Sequence, residues 1–300
     1  RNCVAVYKDG TLFKNYIQDN MTHTWATSEY LSEMPVEYAY LYCQQPLGKV
    51  CPEHLKHEFE ETISLLNAFG TSINESKIDI NQHCFYDLMP ESFLVRFCEI
   101  KNKISQYVFN NYKKPSNYEF LSDLHILEKK ISLNRLNLDF SRVSADHMSF
   151  ANKNKLVSAR SSMPYIAYNI FGSKTGRLTT KKNSFPILNL NKEFRTAVLP
   201  KNDCFLELDY NAFEIRVLLY LLGKQQPLGD IHDWNVSNVY KNSVSREEAK
   251  TRIFAWLYNP QSKDFASNRV YDRDSVLRKY WNGQVVITPM DRVISADKHH

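Results

Sequence analysis

The sequence predicts a mixed α/β (α+β) chain, and three observations carry that prediction. Apolar residues recur at helical spacing in several long segments. A short apolar run, Phe205, Leu206 and Leu208 with Glu207 between, has the texture of a strand. Between them, from residue 150 on, Gly172, Gly176 and Pro186 break the chain into short pieces. With 300 residues, 43% of them hydrophobic, the chain can bury a sizeable core and form two or three lobes.

The first 85 residues give mixed signals and are left unassigned. Within them, residues 52 to 70 have helical spacing through Leu55, Phe59, Ile63 and Leu66, with Gly70 as the expected stop. Residues 91 to 112 and 117 to 136 predict two further helices separated by Pro115. The second shows a stripe of Phe120, Leu124, Leu127 and Ile131, with Lys129, Lys130 and Arg135 displayed nearby. Together they predict a basic helical hairpin. After the strand-like run comes Asp209. Then Ile215, Leu218, Leu219 and Leu222 follow at helical spacing until Gly223. Asp209 is therefore expected at a strand-to-helix junction, where a carboxylate either caps the helix or faces solvent or a metal.

In residues 245 to 260, Arg246, Lys250, Phe254 and Tyr258 fall four apart, so one slowly drifting helix face carries two cations and then two aromatics. Such a face suits a ligand with phosphates at one end and a base at the other. An ordinary amphipathic helix that packs Ile253, Phe254 and Leu257 inside reads the same residues. Residues 171 to 190 form a glycine-containing basic loop with Lys174, Arg177, Lys181 and Lys182, chemistry that fits a sugar-phosphate backbone.

Charge is uneven. Residues 1 to 90 hold 6 lysines and arginines against 12 acids, a net −6, whereas residues 101 to 201 hold 18 against 6, a net +12. A basic middle points to a polyanionic partner, with a solvated face as the plain alternative. No run approaches ~18 uninterrupted apolar residues and no signal peptide is evident, so no membrane association is expected. The six cysteines, at 3, 43, 51, 84, 98 and 204, include no CxxC pair and read as reduced thiols of an intracellular protein. Cys51, His54 and His57 fall three apart with Cys43 upstream, but this matches no standard zinc module. His299 and His300 read as native sequence.

Four motifs occur in order: T-G-R at 175 to 177, D-Y-x-x-x-E-x-R at 209 to 216, D-I-H at 230 to 232, and R-x3-K-x3-F-x3-Y at 246 to 258. Over roughly residues 165 to 300 this resembles the polymerase core of family A DNA polymerases, and is similar to the phage-encoded branch of that family. The resemblance implies a right-hand architecture: thumb-like helices over 86 to 150, the first part of an antiparallel palm over 151 to 222, and helical fingers over 223 to 300. It implies template-directed transfer of dNTPs to a primer 3′-hydroxyl with two Mg²⁺ ions, by a monomer acting on primer-template DNA inside the cell, in host cytoplasm for a phage-encoded enzyme.

By the same resemblance, Asp209 and the backbone carbonyl of Tyr210 hold metal. Glu214 blocks a 2′-hydroxyl, and Tyr258 lies beside it. Arg246, Lys250 and His232 bind the triphosphate, Lys250 also donating a proton to pyrophosphate. Phe254 stacks on the incoming nucleotide, and as phenylalanine implies discrimination against dideoxynucleotides. Lys174, Arg177, Lys181, Lys182, Arg195 and Arg216 contact DNA. The chain departs from the family in two places. Asn259 replaces the usual glycine after the fingers helix, and the His-Asp-Glu motif with the second catalytic aspartate is absent. The expectation is a chain truncated at both ends. No pair of exonuclease carboxylates stands out in residues 1 to 90, so no proofreading is assigned. Two other readings stay open: a single-subunit RNA polymerase, which Glu214 and Phe254 oppose, and a non-catalytic nucleic-acid-binding protein, which the presence of Asp209, Lys250 and Tyr258 opposes.

Overall fold

The computed structural model describes residues 5–17, 21–25, 31, 34–78, 83–143, 150–182 and 184–295. Cys3, His299 and His300 lie outside them. The chain divides into two compact units, Arg1–Lys201 and Asn202–His300. Among the described residues it is mixed helix and strand, about 52% helical, and every sheet has two strands.

In the first unit, β1 (Ala5–Lys8) and β2 (Thr11–Lys14) form a hairpin. Asp9 and Gly10 turn it with φ of 48° and 85°, as an Asp-Gly type I′ turn requires. The two-residue strands β3 (His23–Thr24) and β4 (Glu37–Tyr38) pair in parallel, and β4 runs directly into α1 (Ala39–Cys43). Next come α2 (Glu53–Glu75), α3 (Phe85–Leu88), α4 (Glu91–Asn111) and α5 (Tyr118–Leu133). Pro90 ends the extended chain before α4 and Glu91 opens its first turn, where an acid suits the helix dipole. Phe93, Phe97, Ile100, Ile104 and Val108 then fall three or four apart and are all buried, so α4 serves two neighbouring core clusters.

Four expectations change here. Helix α2 runs through Gly70 to Glu75; a Cβ at Gly70 would meet nothing, and the helix continues because glycine only weakens an interior turn. Helices α4 and α5 exist, but α1 packs against both. The buried face of α5 is not the predicted stripe: Phe120 and Leu127 are more than half exposed, while Tyr118, Leu121 and Glu128 are buried. The Tyr118 hydroxyl accepts the Tyr38 N–H at 2.8 Å, and Glu128 takes an ion pair inside, so polar groups set the rotation of this helix. Finally, Cys84 is disulfide-bonded, against the expectation of six reduced thiols; Cys43, Cys51, Cys98 and Cys204 are free.

The first unit continues with β5 (Asn137–Leu138), α6 (Phe150–Ser161), β6 (Tyr168–Asn169), β7 (Thr179–Thr180), α7 (Lys192–Arg195) and β8 (Val198–Leu199). Strand β5 pairs with β8 and β6 with β7, both antiparallel. These two-stranded pairings stand where a palm sheet was expected.

The second unit is a small helical body. It holds α8 (Phe213–Leu221), α9 (Ile231–Asn238), α10 (Arg246–Tyr258), α11 (Phe265–Tyr271), α12 (Arg273–Tyr280), and a hairpin of β9 (Val285–Ile287) and β10 (Val293–Ser295). Its core draws Ile215, Leu218 and Leu219 from α8, Ile231 from α9, Ala249, Ile253 and Trp256 from α10, and Tyr271 from α11. Gly223 (φ 66°) ends α8 as expected: its N–H bonds Tyr220 O, and the next N–H, of Lys224, bonds back to Leu219 O. Among the described residues no helix is long and apolar enough to cross a membrane.

Candidate functional site

Asp209 ends a stretch that differs from its prediction. Residues 204 to 210 form no strand, and Phe205, Leu206, Leu208 and Tyr210 are 63 to 83% exposed. A strand needs a neighbour for its backbone groups, and none of the described strands pairs with this segment. Nor does Asp209 cap the helix. The N-cap of α8 is Ala212, held at φ 49° with no side-chain cap bond, so the first turn starts from a strained non-glycine residue. Asp209 is exposed.

Two residues on, the side chain of Asn211 is fully engaged. Its Oδ1 accepts the Ile231 N–H at 2.8 Å and Arg216 Nη2 at 3.3 Å, and its Nδ2 donates to Asp230 Oδ2 at 3.0 Å. Asp230 caps α9, accepting the N–H groups of His232 (2.7 Å) and Asp233 (3.1 Å) on Oδ1. Its Oδ2 also accepts Arg246 Nη2 at 2.7 Å. The guanidinium of Arg246, with the two capping N–H groups, holds the Asp230 carboxyl far below the ordinary carboxylate range. The segment after Asp209, the start of α9 and the start of α10 thus meet at one carboxylate. Sequence reasoning noted the D-I-H motif without giving Asp230 a role. An aspartate directly before a helical run was the available signal.

Helix α10 begins and ends where the motif spacing predicted. Ser245 caps it, accepting the Glu248 N–H at 3.2 Å. Asn259 ends it in extended backbone rather than in the left-handed conformation. Arg246 also faces Glu247 at 2.5 Å and Asp233 at 3.9 Å, so three carboxylates surround it. Lys250 is exposed one turn on. The ring of Phe254 is half-buried, 6.0 Å from that of His232 and stacked 6.2 Å from that of Tyr258. Tyr258 is 63% exposed, and its hydroxyl donates to Glu214 Oε1 at 3.4 Å. His232, expected against a triphosphate, is 3% exposed, and its Nδ1 lacks a hydrogen-bond partner. Burial pushes its pKa down, Asp230 opposes that, and Arg246 and Lys250 add to it.

Of six predicted residues in the second unit, Glu214, Tyr258, Phe254 and His232 are joined by contacts, and Arg246 and Lys250 precede Phe254 on the same helix. Arg216 is in the same unit but turned to structure. Its Nε donates to Asn211 O (2.8 Å), Nη1 to Pro227 O (2.8 Å) and Nη2 to Gly229 O (2.8 Å), stapling the loop between α8 and α9.

Lys174, Arg177, Lys181, Lys182 and Arg195 belong to the first unit, and all five are exposed. The first four surround the β6–β7 hairpin. A Cβ at Gly172 would lie 1.8 Å from Thr179 Oγ1, so the close approach within this hairpin requires glycine. Lys181 pairs with the buried Glu128 at 3.1 Å, and His125 lies 3.9 Å from the same carboxylate. Arg195 closes α7.

A metal has a limited donor set here. Among the described residues no group of three or more His, Cys, Asp or Glu side chains is suited to hold a metal ion. Asp209 and the Tyr210 carbonyl offer one carboxylate and one backbone oxygen. Mg²⁺ accepts such donors, commonly binding through one or two carboxylates and keeping several waters, so these two would hold it only with further ligands from elsewhere. The Cys51, His54 and His57 spacing also makes no such group; His57 faces Glu61 instead, at 3.8 Å. The chain matches no family model, no curated protein and no solved structure.

Proposed function

We propose that the second unit binds a magnesium-bound deoxynucleoside triphosphate, and that the protein is a DNA-directed DNA polymerase. It would add dNTPs to a primer 3′-hydroxyl along a template, with the basic face of the first unit holding the DNA backbone. The observation that carries this reading is the contact between Tyr258 and Glu214. It joins the aromatic end of the cation-aromatic helix to the first turn of the helix that follows Asp209. A purely amphipathic α10 gives no reason for an exposed tyrosine to meet a glutamate there.

In this reading Arg246 and Lys250 bind phosphates, and Phe254 and Tyr258 pack the sugar and base. Glu214 fills the space a 2′-hydroxyl would need, and Asp209 with the Tyr210 carbonyl meets the ion. Mg²⁺, when bound, neutralises phosphate charge and activates the attacking hydroxyl. Lys250 stands on the exposed face, where it can neutralise a leaving pyrophosphate.

The test is equilibrium binding of dNTPs with and without Mg²⁺. Metal-dependent binding that Asp209→Ala abolishes and Lys250→Ala weakens supports the proposal. Binding indifferent to both substitutions removes it. Comparing dNTP with rNTP incorporation on a primed template then separates DNA from RNA synthesis.

A further inference from the structure

Asp230 and Arg246 carry a consequence that rests on the nucleotide reading above. Arg246 is one of two cations placed to receive phosphates, yet its Nη2 already lies 2.7 Å from Asp230 Oδ2, its Nε 3.9 Å from Asp233 and its Nη1 2.5 Å from Glu247. A phosphate oxygen cannot take the same guanidinium edge while Asp230 holds it. Asp230 is fixed in that place from its other side. Its Oδ1 accepts two N–H groups of α9, and its Oδ2 accepts Asn211 from the segment after Asp209.

We infer that Asp230 is an internal stand-in for phosphate: it occupies the anion position of Arg246 until a polyphosphate displaces it, and so sets the affinity of the site for triphosphates. The chemistry favours the exchange in one direction. Asp230 holds Arg246 through one oxygen, at Nη2, whereas a triphosphate carries more charge than one carboxylate and can set two phosphate oxygens against the guanidinium. On release Asp230 gives up its Arg246 partner but keeps its cap bonds on Oδ1 and the bond from Asn211, so it stays in place as a competitor. The contact also ties the segment after Asp209 to the start of α10 through Asn211, so displacement loosens the link between the proposed metal-binding carboxylate and the cationic helix. Asp230 is thus a positioning and specificity residue.

The experiment compares wild type with Asp230→Ser, since serine caps a helix as well as aspartate does but is too short to reach Arg246. Asp230→Asn, which keeps the size and the cap, serves as the second variant. The probes are inorganic tripolyphosphate and a dNTP with Mg²⁺, followed by calorimetry, with far-ultraviolet circular dichroism to check the helices. Both variants should bind tripolyphosphate about three- to fivefold tighter than wild type, the range expected when one partly exposed competing charge is removed. The gain should vanish when Arg246→Gln is added to Asp230→Ser. If dNTP binds wild type but the variants bind equally or more weakly, the stand-in role is overturned while the nucleotide reading stands. If neither probe binds wild type or either variant, both fall.

Discussion

The hydroxyl of Tyr258 donates to Oε1 of Glu214 across 3.4 Å, although the two residues are 44 apart in the chain. The contact fills the edge of the aromatic row on α10 with a carboxylate. Replacing Glu214 with alanine opens that edge. The ratio of dGTP to GTP affinity, measured by competition, should fall by roughly 10- to 100-fold, the scale on which a pocket that lacks a specific polar partner discriminates a hydroxyl. Tyr258→Phe removes only the donor and should change the ratio far less. An unchanged ratio in Glu214→Ala would remove the 2′-hydroxyl role.

Arg216 separates a structural from a DNA-binding role. Its guanidinium reaches three backbone carbonyls and one side-chain oxygen, which lysine cannot reproduce. Arg216→Lys should lower stability by about 2 kcal/mol in urea unfolding, the scale of hydrogen bonds to a charged group. It should leave the salt dependence of DNA binding unchanged. A slope reduced by about one would instead mark a phosphate contact.

Gly172 sits against Thr179 in the basic hairpin. Gly172→Ala forces a methyl to within 1.8 Å of Thr179 Oγ1, so the Thr179 side chain or the hairpin backbone must shift. The expected cost is roughly 1–3 kcal/mol in thermal or chemical melts, as for overpacking elsewhere. Adding Thr179→Ala should recover part of it, since the hydroxyl is the nearest obstacle. No recovery would show that the backbone shifts for another reason.

The pair of Glu128 and Lys181 ties the hairpin to α5. The Glu128 side chain is 5% exposed and that of Lys181 52%. Lys181→Met strands a buried carboxylate and should cost about 2 kcal/mol, less than a fully buried pair because Lys181 is half in water. Glu128→Gln with Lys181→Met should cost less than the two single changes summed. Strict additivity in that double-mutant cycle would mean the ion pair contributes nothing.

Stability should also report His125. Burial, helped by Lys181 and Lys129, lowers its pKa from 6.5 to about 4. The unfolded chain therefore binds a proton on this residue between those values while the folded chain does not. Its contribution is complete above pH 6.5, declines as pH falls toward 4, and levels off below. Urea midpoints recorded across that window should drop, and His125→Gln should flatten the drop. A wild-type midpoint that is level from pH 6.5 to 4 contradicts the assignment.

Much of the second unit was legible in advance, for a physical reason. Residues 246 to 258 have apolar groups, cations and aromatics at helical spacing, and Gly223 marks a helix end that only a left-handed residue makes easily. Local rules decide such features. Residues 203 to 210 failed because strand texture is a statement about a neighbour, and none of the described strands pairs with them. The face of α5 failed because a buried glutamate and a tyrosine hydroxyl set its rotation, and counting apolar residues misses both. Asp230 escaped notice for the opposite reason. An aspartate before a helical run signals at most a cap, and its second oxygen, the one that meets Arg246 and Asn211, has no local signature.

The two ends of α10 are moored by different forces. Near Arg246 the mooring is ionic and partly wet, so its strength falls as added electrolyte shortens the Debye length from ~10 Å at 0.1 M toward ~3 Å at 1 M. Near Trp256, which is 1% exposed and stacked on by Arg273, the mooring is dry and indifferent to electrolyte. Raising ionic strength should therefore weaken the contacts of Arg246 well before those of Trp256, while Ala249 and Ile253 keep the helix seated in the core.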